Sequence, residues 1–168
     1  MVDGIALIGF MGCGKSTVGK ELARRLNYHF IDLDTAIEHG EQMHIPQIFA
    51  QFSEQYFRDL EHQYLTEQRP HRVVLSCGGG LPIFARNAQL LQENWCTVFL
   101  DCSFEACYRR ICHSTRPLVQ NSTPDQLRAL YDSRRPLYEN CCSLQIAADS
   151  SPFAVAGDIV KQLRLHRH

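Results

Sequence analysis

Five short apolar runs punctuate the chain: IALIGF (5–10), YHFIDL (28–33), RVVLSC (72–77), CTVFLD (96–101) and SLQIAA (143–148). Runs of this length, rich in β-branched residues and closing on Gly or Asp, suit strands buried in a parallel sheet. Between them the apolar period lengthens to that of a helix. Val18, Leu22 and Leu26 form one stripe, and Phe57, Leu60 and Tyr64 another. Ala156, Ile159, Val160 and Leu163 form the last, entered through Ser151-Pro152 as N-cap and first helical residue. Strands alternating with helices predict an α/β domain whose sheet is covered on both faces.

Two segments depart from the alternation. Residues 35–69 carry two or three helical patterns and no strand, more than a simple crossover needs, which predicts a binding insertion. The polar segment HSTRPLVQNSTP (113–124) has two prolines and no period, and is expected to be a mobile lid loop. Thr123-Pro124-Asp125 then opens a helix, and SRRPLYEN is placed just past its end.

A chain of 168 residues is long enough for one domain with a full core. Its net charge of −1 gives no electrostatic footprint for nucleic acid or an anionic membrane. No apolar run approaches the ~20 residues of a membrane span. The acidic start MVDG is unlike a signal peptide, so a cytoplasmic protein is expected, with the RLHRH end a solvated tail. None of the eight cysteines forms C-x-x-C, which removes a zinc ribbon or dithiol motif and leaves reduced thiols in a core. Cys102, Cys107 and Cys112 recur every five residues, a spacing that puts them on different sides of a helix.

The strongest chemical signal is Gly9 to Ser16, which fits G-x-x-x-x-G-K-[ST] directly after a strand and before an amphipathic helix. Such a loop turns backbone N–H groups onto phosphate oxygens, with Lys15 on the β- and γ-phosphates and the Ser16 hydroxyl on Mg²⁺. Asp32 and Asp34 close the second strand two residues apart, on one face of it. They stand at the strand end where parallel sheets bind ligands; the competing reading is that one or both cap the following helix. Gly78-Gly79-Gly80 follows the third strand and suits close approach of backbone to a ligand. Arg58 and Glu61 stand at i, i+3 on a helix and can pair. At the edge of a buried stripe, Arg58 suits bidentate capture of a carboxylate. Arg116 lies in the lid segment, where an arginine can close over transferring phosphate. Arg134 and Arg135 supply two further cations.

In this order and with these spacings, GFMGCGKSTVGK, FIDLD, FRDLE, GGG, RPL and RRPLYE resemble the shikimate kinase family over almost the whole chain. The resemblance implies a P-loop three-layer α/β/α fold with a five-stranded parallel sheet in the order 2-3-1-4-5, residues 35–69 as substrate subdomain and 113–124 as lid. It implies ATP-dependent phosphorylation of the 3-hydroxyl of shikimate by a cytoplasmic monomer, a step toward chorismate and the aromatic amino acids. The nucleotide would be held by Gly12, Cys13, Gly14, Lys15, Ser16, Thr17, Arg110 and Arg116. Mg²⁺ would be held by Ser16 and, through water, Asp32. Shikimate would meet Asp34, Arg58, Gly79, Gly80 and Arg134, the last chosen over Arg135 by the spacing to Pro136. Lys15, Asp34 and Arg116 would be the catalytic set. Ser53 and Cys77 stand where the family commonly has Gly and Thr. Cys13, at a helix N-terminus, is expected to be a reactive thiol that ATP protects. Gluconate or nucleoside monophosphate kinases are the alternatives among enzymes, and a nucleotide-dependent switch is the alternative of another class.

Overall fold

The structure is a computed structural model that describes residues 3–166. Five parallel strands form one sheet: β1 (Gly4–Ile8), β2 (His29–Asp32), β3 (Val73–Ser76), β4 (Cys96–Asp101) and β5 (Leu144–Ala147). Their spatial order is β2-β3-β1-β4-β5, the order expected from the sequence. Burial follows position. β1 and β3 are buried at every residue, whereas β2 is half-exposed and β5 alternates, with Leu144 and Ile146 inward. Edge strands need only one apolar face, so the expectation of fully buried runs holds for the centre of the sheet alone.

Helices α1 (Lys15–Leu26) and α9 (Pro152–Leu165) pack together on one face. Helices α5 (Ala85–Asn94) and α8 (Pro124–Cys141) pack together on the other. Ser151 caps α9 through its side chain, which accepts from Ala154 N–H, with Pro152 in the first turn as read from the sequence. The tail RLHRH is shorter than expected, because Arg164 and Leu165 belong to α9; Arg167 and His168 lie outside the described residues, as do Met1 and Val2.

Between β2 and β3 the chain makes three helices, α2 (Leu33–Glu41), α3 (Ile45–Gln51) and α4 (Glu54–Glu67). Ser53 caps α4 by accepting from Tyr56 N–H at 3.1 Å, so the departure from the commoner glycine gives this helix a side-chain cap. After β4 come α6 (Phe104–Ile111) and the single turn α7 (Pro117–Gln120), which lies within 113–124. Only Cys107 of the five-residue cysteine series is inside α6; Cys102 precedes it and Cys112 is its C-cap, so the helical placement of all three is corrected. All eight cysteines are free thiols.

One boundary expectation fails with consequences for the site. Arg134 and Arg135 are not past the helix opened at Thr123. They lie inside α8, which continues through Pro136 to Cys141. A proline removes one helical hydrogen bond, yet here buried Arg134, Tyr138 and Cys141 hold both sides of it against the core. Adjacent helical residues are ~100° apart around the axis, so only one of the two arginines can face the same way.

Candidate active site

In this strand order the connections leaving β1 and β3 run to opposite faces, which opens a crevice at the carboxyl ends of the strands. A cavity of about 520 Å³ occupies that position. It is lined by Gly12, Gly14, Lys15, Ser16, Thr17, Asp32, Asp34, Arg58, Gly79, Gly80, Arg110, Arg116 and Arg134. Every side chain and glycine expected at the site is therefore in one place, with the exception of Cys13.

The phosphate loop forms because its glycines permit what other residues do not. Gly12 has φ +83°, and a Cβ there would meet the Cys107 carbonyl oxygen at 2.7 Å. No side chain caps α1, so the N–H groups of its first turn remain open to an anion. Lys15 is 9% exposed and folds back over the loop, donating to the carbonyls of Gly9 (2.8 Å) and Phe10 (3.0 Å). Arg110 lies across the loop from outside, donating to the Gly12 carbonyl at 2.8 Å. Cys13 turns inward: its thiol is 2% exposed and 3.6 Å from Lys15 Nζ, and its N–H donates to the Phe10 carbonyl at 3.1 Å. The thiol therefore lies beneath the loop rather than on the cavity wall.

Asp32 and Asp34 do not share a strand face. β2 ends at Asp32, which caps α2 by accepting from Thr35 N–H at 3.2 Å, and Asp34 falls in the first helical turn. The same Asp32 accepts a 2.6 Å hydrogen bond from the Ser16 hydroxyl, so one carboxylate both caps α2 and ties it to the first turn of α1. Asp34 is part-buried, and its Oδ1 is shut off from solvent and has no hydrogen-bond partner among the described residues. Burial, and then the Asp32 charge, push its carboxyl up to about 6 against the pull of Lys15 and Arg116.

The far end of the cavity is a cradle of opposite charge to an acid. Arg58 and Arg134 are 6% and 8% exposed, too buried to be ordinary surface cations. Arg58 Nη1 donates to Glu61 Oε1 at 2.6 Å and Nη2 reaches Glu54 at 3.5 Å, while its Nε has no partner among the described residues. Gly80 is required by that arginine, since a Cβ there would stand 2.5 Å from Arg58 Nη1. Burial pushes the Glu61 carboxyl up to about 7, with Arg58 pulling the other way and Asp34 adding to the rise. Arg135, turned away from the cavity, is held bidentately by Asp101 at the end of β4. Helix geometry thus puts Arg134, and not Arg135, on the cavity wall. An apolar wall of Ile45, Pro46, Phe49 and Phe57 completes the cradle.

Several residues of the site were missed in the sequence. Glu61 reads in its motif only as a partner of Arg58, and Tyr138, whose hydroxyl donates to the Gly79 carbonyl at 2.6 Å, carries no assignment there. Tyr138 stands one turn after Arg134 within RRPLYE, which is the signal that could have found it. The apolar positions of HIPQIF were a second unused signal.

Ser16 and Asp32 suit a Mg²⁺ ion, which takes few protein oxygens and keeps phosphates and waters as its other ligands. The described residues include no group of three or more acidic, His or Cys side chains that could hold a metal ion.

A three-layer α/β domain with a phosphate loop at one end of its cleft and a buried, doubly cationic acceptor cradle at the other defines a small-molecule kinase of the phosphate-loop class. A family model described as shikimate kinase matches residues 11–164. The chain belongs to the shikimate kinase family. It is 42% identical over 167 residues to the shikimate kinase of Limosilactobacillus fermentum, covering 97% of this chain and 96% of the relative. It is 35% identical to that of Enterococcus faecalis, covering 97% and 99%. A solved structure of shikimate kinase from Acinetobacter baumannii in complex with shikimate superposes with TM-score 0.93 at 32% identity, covering 99% of this chain and 95% of that one. A gluconokinase from Sinorhizobium meliloti aligns with TM-score 0.52 at 18% identity, which is likeness of fold alone.

Proposed function

We propose that this cavity is where the chain transfers the γ-phosphoryl group of ATP to the 3-hydroxyl of shikimate, a step on the route to chorismate and the aromatic amino acids. The observation that carries the reading is one cavity joining a lysine-bearing phosphate loop to two buried arginines and a buried carboxylate. A substrate with one carboxylate and several hydroxyls calls for that combination.

The residues divide the work. The first turn of α1 and Lys15 bind the phosphate chain, with Gly12, Gly14 and Thr17 shaping the loop and Arg110 beside the nucleotide. To reach a phosphate, Lys15 exchanges the Gly9 and Phe10 carbonyls for phosphate oxygens. Ser16 and Asp32 would hold Mg²⁺, which when bound neutralises charge on the β- and γ-phosphates. Arg58 and Arg134 clamp the shikimate carboxylate, with the backbone of Gly79 and Gly80 against the ring. Asp34 accepts from the attacking hydroxyl and, once that proton leaves, can hold it. Arg116 closes from segment 113–124 and stabilises charge on the transferring group. Catalysis is then mainly positioning and electrostatics.

In this reading residues 35–69 form the substrate subdomain and 113–124 the lid. Each group named comes from a single chain, so a monomer is sufficient. Its substrate ATP suits a cytoplasmic enzyme, and among the described residues no helix is long and apolar enough to cross a membrane.

The test is ADP release from ATP and Mg²⁺ with shikimate, gluconate, nucleoside monophosphates or no acceptor. Turnover that depends on shikimate is expected. Equal turnover without acceptor would mean hydrolysis, and turnover with gluconate alone would move the acceptor assignment.

A further inference from the structure

Tyr138 is 1% exposed, yet it carries a hydroxyl, and burying a hydroxyl without partners is costly. Its hydrogen bond is directed at the acceptor cradle. The O–H donates to the Gly79 carbonyl at 2.6 Å. The guanidinium of Arg134, one turn earlier on α8, stands beside the same hydroxyl and acts on it electrostatically. The ring packs against Phe99 of β4, with centroids 5.3 Å apart, which leaves the hydroxyl little freedom to move.

Gly79 is itself a junction. A Cβ on it would lie 3.7 Å from Arg134 Nη1, 3.3 Å from Met11 N and 3.5 Å from Gly9 O. The residue that Tyr138 grips therefore stands between the acceptor arginine and the phosphate loop. Without the hydroxyl, Arg134 loses a polar neighbour, and the glycine loop loses the bond that sets its distance from the phosphate loop.

We propose that Tyr138 is a positioning residue for the acceptor: its hydroxyl fixes Arg134 and the Gly79-Gly80 backbone in the arrangement that receives the shikimate carboxylate and ring. The inference rests on the proposed reading of the cavity as the shikimate site. It assigns Tyr138 no contact with ATP and no proton transfer. Its effect therefore falls on acceptor binding, and it depends on Arg134 being present.

The experiment is a double-mutant cycle with steady-state kinetics, using Tyr138→Phe, Arg134→Ala and both together, beside wild type. Tyr138→Phe is expected to raise the KM for shikimate about ten-fold, with kcat and the KM for ATP within about two-fold. In the Arg134→Ala background the same change is expected to have much less effect, because the arginine it positions is gone. Leu163→Ala, in the buried face of α9 on the other side of the sheet, serves as a structural control that leaves Tyr138 and its packing untouched. It is expected to lower the melting temperature without moving the KM for shikimate. Assays in the cold keep a weakened variant folded. Full additivity in the cycle would overturn the proposal. So would a Tyr138→Phe enzyme whose losses are matched by Leu163→Ala at equal stability. Failure of the acceptor reading appears separately, as wild-type protein without shikimate-dependent turnover.

Discussion

Glu61 holds Arg58 by a 2.6 Å ion pair in which the two side chains are only 2% and 7% exposed. Its partner could not have been left alone. A guanidinium stays charged at any working pH, and an uncompensated buried charge costs several kcal/mol. The pair fixes the arginine against Gly80 and so shapes the acceptor end of the cavity.

Replacing Glu61 with Ala is expected to destabilise the fold by about 3 kcal/mol at pH 8, the low end for a broken buried pair. The low end applies because Glu54, 61% exposed and 3.5 Å away, remains to take part of the charge. Thermal melts would show a drop on the order of 10 °C. The KM for shikimate should rise far more than the KM for ATP. A melting point equal to wild type would show that the pair contributes nothing to stability.

Acidification should stabilise this site rather than weaken it. Asp34 rises from 3.8 to about 6 and Glu61 from 4.5 to about 7, so the folded state binds more protons than the unfolded state between those limits. Stability from the two groups is fully present below about pH 4 and is lost as pH rises through 6 and 7. Carboxylates held low by arginines, such as Glu21 at about 2 and Asp101, act in the opposite sense at more acid pH. Melting temperature is therefore expected to fall from pH 5 to pH 8, and Asp34→Asn with Glu61→Gln to flatten that slope. In the proposed mechanism kcat/KM runs the other way, declining about ten-fold per pH unit once Asp34 is protonated below about 6.

Arg134→Ala and Arg135→Ala should separate cleanly. The first removes a buried cation of the cavity and is expected to raise the KM for shikimate by at least about ten-fold with little effect on ATP. The second removes the bidentate partner of Asp101, costing about 1 kcal/mol of stability while leaving the KM for shikimate within about three-fold. Kinetics and melts of the two variants side by side would check this, and reversed phenotypes would exchange the two assignments.

Cys13 should be slow to label. Its thiol is 2% exposed beneath the phosphate loop, whereas Cys112 and Cys142 are partly exposed. Mass spectrometry of alkylated peptides is expected to show Cys112 and Cys142 modified first. Activity loss should track the slower Cys13, and ATP with Mg²⁺ should delay that loss. Rapid labelling of Cys13, unchanged by nucleotide, would show that the loop opens far more than its packing suggests.

The sequence by itself determined the strands and the phosphate loop, and its motifs name many of the residues that line the cavity. Strands and helices write their periods locally, and the chemistry of Lys15, Ser16 and the three glycines at 78–80 depends on residues next to one another in the chain. Tertiary structure decided the rest. Whether Arg58 is a surface ion pair or a buried clamp depends on Gly80 and Phe84, each more than twenty positions away. Whether α8 stops before Arg134 or continues past Pro136 depends on packing against β4, which local propensity does not encode. Which face of that helix meets the cavity sends Arg134 inward and Arg135 to Asp101. The sharing of Asp32 between a helix cap and Ser16, the burial of Cys13 and the grip of Tyr138 on Gly79 all involve contacts between segments distant in sequence. Such contacts exist only once the sheet has brought the ends of its strands together.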